Sequence, residues 1–528
     1  MNPFLTRSVK EYALENAGKT NNLFASVFAV YDELVNFINI FFKRAFMKKY
    51  LLSIVILFTV SILLCHAQNP VLWGTNNVGG GVGNYGNIFR VNASGMTTDV
   101  HDFGYGSDGR TSDGSLIKAT NGLLYGLTQN GGTGGQGAIF SYNIQTGKDS
   151  VVYSFAGGTT DGRLPEGTPI QASDTMLYGV TDFGGANDDG IIFSFNIKTG
   201  IETNLHDFGY DSDGIFPHAK LLQANNGVIY GTTEEGGTSN ILGFGIIFSY
   251  NITTHTYTYL FNFKYAPGYD PVGALIQANN GLLYGMTYAG GAHAVGTIFS
   301  YNITTNSVTD VHDFIYKVDS DGWQPQGALL QASNGLLYGM TPDGGSDFGT
   351  IFSFNDTTNK ETILYNFGKS TDGQTPLASL IQAANGLLYG TTSAGGTHTN
   401  GTIFSFDIAT NTETDLHDFS NATGGYVPYC DLVEVDSTGT SGINQLSVNN
   451  NQLSIYPNPS SGQFTIKLNG NQNGYTVELY NLLGELVYQS VLSNSQGIID
   501  LSTQPAGMYF VYVKSNAGVE VGKVLLTK

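Results

Sequence analysis

One phrase recurs seven times along the middle of this chain, and it constrains the fold more than any other feature. At its clearest it reads Gly386-Leu-Leu-Tyr-Gly-Thr-Thr392, then Gly395-Gly396, then Gly401-Thr-Ile-Phe-Ser-Phe406. The aromatic of Leu-Tyr-Gly falls at Trp73, Tyr125, Tyr178, Tyr230, Tyr284, Tyr338 and Tyr389, in steps of 52, 53, 52, 54, 54 and 51 residues. The Phe of Ile-Phe keeps pace at Phe89, Phe140, Phe193, Phe248, Phe299, Phe352 and Phe404. So does the Phe that closes Asp-Phe or its relatives, at Phe103, Phe155, Phe208, Phe263, Phe314, Phe367 and Phe419. A period near 50 residues marks a repeat architecture in which each unit buries its apolar face on a neighbour.

Each unit divides into four short segments. Ser379-Leu-Ile-Gln-Ala383 leads through Asn385-Gly386 into Leu387-Leu-Tyr-Gly-Thr391. Asn-Gly between apolar runs predicts a two-residue hairpin with positive φ at both central residues. A Gly-Gly loop precedes the third segment, Thr402-Ile-Phe-Ser-Phe406, and a polar turn precedes the fourth, Thr414-Asp-Leu-His-Asp-Phe419. The second and third segments carry large apolar groups on both faces, as sheets stacked face to face require. Gly is 70 of 528 residues, and its fixed places beside Tyr- and Phe-rich runs indicate tight turns in a β protein.

Four strands repeated seven times predict an all-β fold: a seven-bladed β-propeller over 68–436. A solenoid is the rival, but its coils are shorter. The repeat's phase also favours a ring. The link between fourth and first strands carries Asp-Gly and then Pro, with Pro165, Pro217, Pro271, Pro325, Pro376 and Pro428 in line and Ser112 in the remaining unit. The chain thus enters on a second strand at Val71. Its last piece, Cys430-Asp-Leu-Val-Glu-Val435, is a first strand that would complete the opening blade and leave no exposed edge. The order Leu-Tyr-Gly, Gly-Gly, Ile-Phe-Ser-Tyr-Asn resembles the kelch repeat, with Phe in place of the kelch Trp of the fourth strand. More closely, residues 70–436 resemble the Gloeo/Verruco (GloVer) tandem repeat, which implies no particular activity.

The formal charge of −20, from 22 basic and 42 acidic residues, excludes a nucleic-acid partner on electrostatic grounds. Two cysteines, Cys65 and Cys430, supply no disulfide framework. From Met47, Lys48-Lys49 precedes the apolar run Leu51 to Leu64 and the small-residue site Cys65-His66-Ala67 before Gln68. That pattern predicts a secretory signal peptide over 47–67. Leu64 disfavours a lipoprotein box at Cys65. Translation is expected to start at Met47; the alternative is that 1–46 and the apolar run form a signal anchor.

Two patterns within the repeat invite a site. His-Asp-Phe occurs at His101-Asp102, His206-Asp207, His312-Asp313 and His417-Asp418, but neighbours on a strand face opposite ways and cannot converge. It reads as a packing and hydrogen-bonding position on an outer strand. Asp211-Ser-Asp213-Gly214 and Asp319-Ser-Asp321-Gly322 allow calcium as the sole cofactor candidate, although a third ligand and a distal Glu are not placed. No nucleophile elbow, phosphate loop or zinc-spaced His pair is present. The sequence therefore assigns no catalytic, cofactor-binding or metal-ligating residue. A binding module is the leading expectation. The alternatives are an extracellular glycan hydrolase or lyase with its site in the channel, and a structural surface or adhesion component. Non-repeated acidic or His residues gathered at one mouth would favour the enzyme.

Beyond a polar linker over 437–451 the composition changes. Leu453-Ser-Ile-Tyr-Pro-Asn-Pro459, Gly462-Gln-Phe-Thr-Ile-Lys-Leu468, Val477-Glu-Leu-Tyr-Asn481, Pro505-Ala-Gly-Met-Tyr-Phe-Val-Tyr-Val513 and Lys523-Val-Leu-Leu526 make a run of short strands. They predict a small Ig-like β-sandwich over 452–528. These residues closely resemble the C-terminal sorting domain, type A, of the type IX secretion system. The resemblance implies export, the secretion machinery as the partner of 452–528, removal of the domain, and release or attachment to surface lipopolysaccharide at the outer membrane. A glycan or a surface protein is the expected partner of the propeller. Membrane contact is expected only through the signal segment or that attachment.

Overall fold

The computed structural model describes residues 70–435 and 453–526 apart from short stretches within each, among them 105–107, 210–212, 238–243, 317–320, 369–371 and 421–424. The leader, the signal peptide and the linker expected at 437–451 lie outside the described residues. All regular structure among the described residues is β-strand.

The repeat folds into seven four-stranded antiparallel sheets among these residues, here numbered 1 to 7 along the chain. Sheet 5 is typical, with Ile276–Gln277, Leu283–Thr287, Thr297–Asn302 and Ser307–Asp313 in spatial order. Leu283–Thr287 is buried throughout, as its two-sided apolar pattern predicts. The Gly of Leu-Tyr-Gly is fixed by a close approach. Gly285 pairs with Phe299, and a Cβ on it would stand 2.6 Å from Phe299 Cζ and 2.8 Å from Leu275 Cδ2. In all seven sheets a register shift falls just before the Phe of Ile-Phe, bending the fourth strand against the third.

The Asn-Gly turns differ from the two-residue hairpin that the dipeptide predicts. Gly122 N donates to Ala119 O, Ala119 N donates to Leu123 O, and positive φ falls on Gly122 (83°) but not on Asn121. This is a three-residue loop whose last position alone is left-handed. Asn121 plays a different part, since its side-chain amide donates to the hydroxyl of Tyr125 at 2.9 Å. The same bond joins Asn226 to Tyr230, Asn280 to Tyr284, Asn334 to Tyr338 and Asn385 to Tyr389. Asn therefore satisfies the one polar atom of a buried aromatic.

Consecutive sheets are joined by their aromatic residues. The Phe that ends each fourth strand stands edge-on to the Ile-Phe ring of the following sheet, as Phe263 does to Phe299 with centroids 5.0 Å apart. Phe419 of sheet 7 makes this contact with Phe89 of sheet 1, at 5.4 Å and 71°. One hydrophobic cluster accordingly holds Ala383, Tyr389 and Ile403 together with Leu72, Phe89 and Leu432. The succession of contacts returns to its starting sheet. Sheet 1 is itself completed from the far end of the repeat: Leu72 pairs with Glu434 and Trp73 with Val433. Cys430 Sγ donates to Thr75 O and accepts from Thr75 N, at 3.0 and 3.1 Å.

The C-terminal residues form two further sheets. Leu453–Tyr456, Gln463–Leu468 and Gln496–Asp500 make one; Leu486–Leu492, Tyr475–Tyr480, Gly507–Ser515 and Gly518–Leu526 make the other. Phe464, Ile466 and Ile499 share one core with Val477, Val511 and Val524.

Candidate functional site

Two places in the repeat concentrate polar chemistry. The first is where the links entering the first strands meet. Ser115 N donates to Thr168 Oγ1, Ser379 N to Asp431 Oδ1, and Asp431 N to Ser115 Oγ, each bond crossing between sheets. Two positions of every unit adjoin these links in the repeat. One follows the link Pro and holds Asp113, Glu166, His218, Val272, Gln326, Leu377 and Tyr429 in chain order. The other follows the second strand and holds Asn77, Gln129, Asp182, Glu234, Tyr288, Pro342 and Ser393. At these two positions acids and His occur only in one sector, from Asp113 to Glu234.

In that sector Asn77 donates to Asp113 and Gln129 donates to Glu166. His218 stands between two acids, with Nδ1 4.0 Å from Asp182 Oδ2 and Nε2 3.7 Å from Glu234 Oε2. One ligand atom from each of Glu166, Asp182 and His218 lies within 4.8 Å of the others. The Asp182 side chain is 8% exposed, and its buried Oδ1 has no hydrogen bond. Burial, followed by the charges of Glu166 and Glu234, pushes its carboxyl up to about 9. Burial lifts Asp113 to about 7 and holds His218 below the usual imidazole range. At neutral pH the sector thus combines a protonated carboxyl and an uncharged imidazole with other carboxyl groups. Such a set can both donate to and accept from hydroxyl groups, or hand over a proton.

The second place is the outer strand. His-Asp neighbours do diverge, as the strand geometry requires. Asp207, Asp313 and Asp418 accept from Ala186 N, Ala292 N and Thr397 N of their own Gly-Gly loops. The His turns instead to the Asp of the following link: His101 to Asp108, His206 to Asp213, His312 to Asp321. Of the described members of the two calcium-type loops, Asp213 bonds His206 at 3.1 Å and Asp321 stands 3.6 Å from His312; Asp211 and Asp319 lie outside the described residues. Tyr153 and Tyr365 replace the His in two units and donate to Asp161 and Asp372 at 2.9 and 2.8 Å. His417 meets Thr97 of sheet 1 at 3.3 Å.

The sequence pattern alone did not reveal the acidic sector, because its members come from separate units. Stacking the seven units in register would have exposed it, since the two positions named above turn acidic only from Asp113 to Glu234.

A family profile described as the Gloeobacter/Verrucomicrobia repeat matches residues 158–320 and 242–456. A second, the secretion system C-terminal sorting domain, matches 454–527. No curated protein matches the chain. Among solved structures the chain is similar to PorZ of Porphyromonas gingivalis, described as an essential surface component of the type-IX secretion system. The identity is 14% over 84% of this chain, with a TM-score of 0.41. The chain spans 63% of PorZ's length. Proposed 6-phosphogluconolactonases from Bacteroides uniformis and Bacteroides fragilis are 13% and 17% identical over 70% of this chain, with TM-scores of 0.47 and 0.48; 100% and 99% of their own lengths are covered.

Proposed function

Because the chain belongs to the Gloeobacter/Verrucomicrobia repeat family and ends in a type IX sorting domain, we propose that it is an exported binding protein whose repeats form a seven-bladed β-propeller. The sorting domain marks it as a type IX secretion substrate bound for the cell surface. Residues 47–67 would direct the first export step, 68–436 would be the passenger, and the Ig-like sandwich at 452–528 would engage the secretion machinery across the linker at 437–451. Seven similar sheets, aromatic contacts that return from Phe419 to Phe89, and the pairing of Leu72 with Glu434 support a ring.

The observation that carries the binding role is the confinement of Asp113, Glu166, Asp182, His218 and Glu234 to one sector of an otherwise repeated surface. A ring needs no such asymmetry for its own stability. Burying carboxyl groups at this density costs free energy that a ligand would offset. Hydroxyl-rich glycans fit the mixture of donors and acceptors. The same sector favours a second reading, a glycan hydrolase or lyase, in which the proton on Asp182 is the acid and Glu166 the second carboxyl group.

Glycan arrays probed with the mature chain, and with Glu166→Gln and Asp182→Asn, test both. Binding by the parent chain that both variants lose supports the module. New reducing ends released from a bound glycan, and lost in both variants, establish the enzyme instead. Glycan binding that both variants retain would remove the site from this sector.

A further inference from the structure

The outer-strand His positions hold a comparison internal to the repeat. Where a unit carries Tyr, the hydroxyl reaches the carboxyl groups itself: Tyr365 Oη lies 2.8 Å from Asp372 and 3.2 Å from Glu413 of the next sheet. In two of the units that carry His, the shorter side chain stops short. His101 Nε2 stands 3.6 Å from Asp108 Oδ2 and 3.7 Å from Asp149 Oδ2; His312 Nε2 stands 3.6 Å from Asp321 Oδ2, with Glu361 beside it. These separations are too long for hydrogen bonds. Both Nε2 atoms are buried without a hydrogen bond, as are Asp149 Oδ1 and Glu361 Oε1. The Asp149 side chain is only 9% exposed. A buried nitrogen and two carboxyl groups, one of them carrying a buried oxygen without a hydrogen bond, therefore surround an unbridged space, twice, at equivalent places.

The spacing suits an ion. Zinc-type bonds are about 2.0–2.2 Å, so ligand atoms held in a tetrahedron lie roughly 3.3–3.6 Å apart. In each set the three ligand atoms fall within 4.8 Å of one another. One imidazole with two carboxylates matches zinc-like ions better than calcium, which takes six or more oxygens. The remaining units serve as controls. His206 bonds Asp213 directly at 3.1 Å and stacks on Tyr257, where the equivalent units have Asp149 and Glu361. His417 meets Thr97. Among the described residues, two of the seven positions bring together a His and two acids.

The geometry points to two equivalent zinc-type divalent-cation sites, His101–Asp108–Asp149 and His312–Asp321–Glu361, each tying a fourth strand and its following link to the fourth strand of the next sheet. The ion would bridge sheets where Tyr bridges them elsewhere. These sites are separate from the acidic sector, and the inference stands without the binding role proposed for it.

The test is zinc stoichiometry of the mature chain, by calorimetry with zinc chloride and by elemental analysis after dialysis. Variants His101→Tyr and His312→Tyr place the native residue of equivalent units at each position, which protects the fold; a thermal melt verifies it. Each single variant should bind one zinc fewer than the parent and the double variant two fewer. His206→Tyr should leave the count unchanged. Zinc should also raise the melting temperature of the parent, with that rise reduced in the double variant. An unchanged count in a folded double variant overturns the proposal, as does a parent chain that binds no zinc.

Discussion

Leu432 offers the most direct test of how the repeat is held together. It lies in the terminal segment that completes sheet 1, is 3% exposed, and packs with Leu72, Phe89, Tyr389 and Phe419. Replacing it with Ala removes three carbon groups, worth about 0.8 kcal/mol each in transfer alone. The cavity left behind adds to that, so the cost should be about 3 kcal/mol. Leu275 is the matched control, at the equivalent place inside the chain and also 3% exposed. If the terminal strand is an integral member of sheet 1, both substitutions should cost the same within about 0.5 kcal/mol. For a repeat region of this size that loss lowers the melting temperature by roughly 4 °C, so urea unfolding is the better measure. Both tryptophans, Trp73 and Trp323, lie in the repeat, and their fluorescence follows it without the C-terminal domain. A cost below about 0.5 kcal/mol for Leu432→Ala, beside a full loss for Leu275→Ala, would refute the reasoning: the terminal strand would then be an appendage.

Gly285→Ala should destabilise the chain by about 2–3 kcal/mol, because Phe299 and Leu275 cannot both withdraw from the added methyl group; urea unfolding decides it. Asn334→Ala should cost about 1 kcal/mol by leaving the buried Tyr338 hydroxyl without its donor, while Asn334→Asp should recover part of this, as Asp174 does for Tyr178. Stability should fall as pH rises from 7 to 9. The folded Asp182 carboxyl titrates near 9, above its unfolded value of 3.8, so its stabilising contribution is lost as pH climbs through that range. The share of the drop due to Asp182 should be roughly 2 kcal/mol. Glu166, Glu234, Asp113 and His218 face the same carboxyl; His218 is held below its ordinary range and is already neutral in that window. Asp182→Asn should flatten the profile, measured as unfolding free energy at several pH values.

The architecture was legible because its determinants are local and repeated. Leu-Tyr-Gly, Gly-Gly and Ile-Phe each encode a contact made in the same way seven times, and the phase of the link Pro placed the final strand correctly beside Val71. Turn geometry was less legible. Asn-Gly suggested one hairpin type, whereas the Tyr hydroxyl claims the Asn side chain and leaves Gly alone at the left-handed position. The acidic sector was illegible for a different reason. Asp182 and His218 belong to different units, and neither differs locally from an ordinary loop residue. The His clusters were half visible: the His-Asp pairs were evident, but their true partners are Asp108 and Asp149, which the fold and not the chain places beside His101.

The strand beside Val71 has a consequence for the timing of folding. Leu72 is synthesised near the beginning of the repeat and its partner Glu434 near the end, so the first sheet waits for almost the whole passenger before it is complete. Closing so long a loop is entropically unfavourable and kinetically late. The next part of the chain to emerge is the domain that commits the protein to secretion. A nascent chain interrupted before Cys430 lacks both its clasp and its export tag. Completion of the passenger and eligibility for transport are thus coupled by nothing more than their order along the polypeptide.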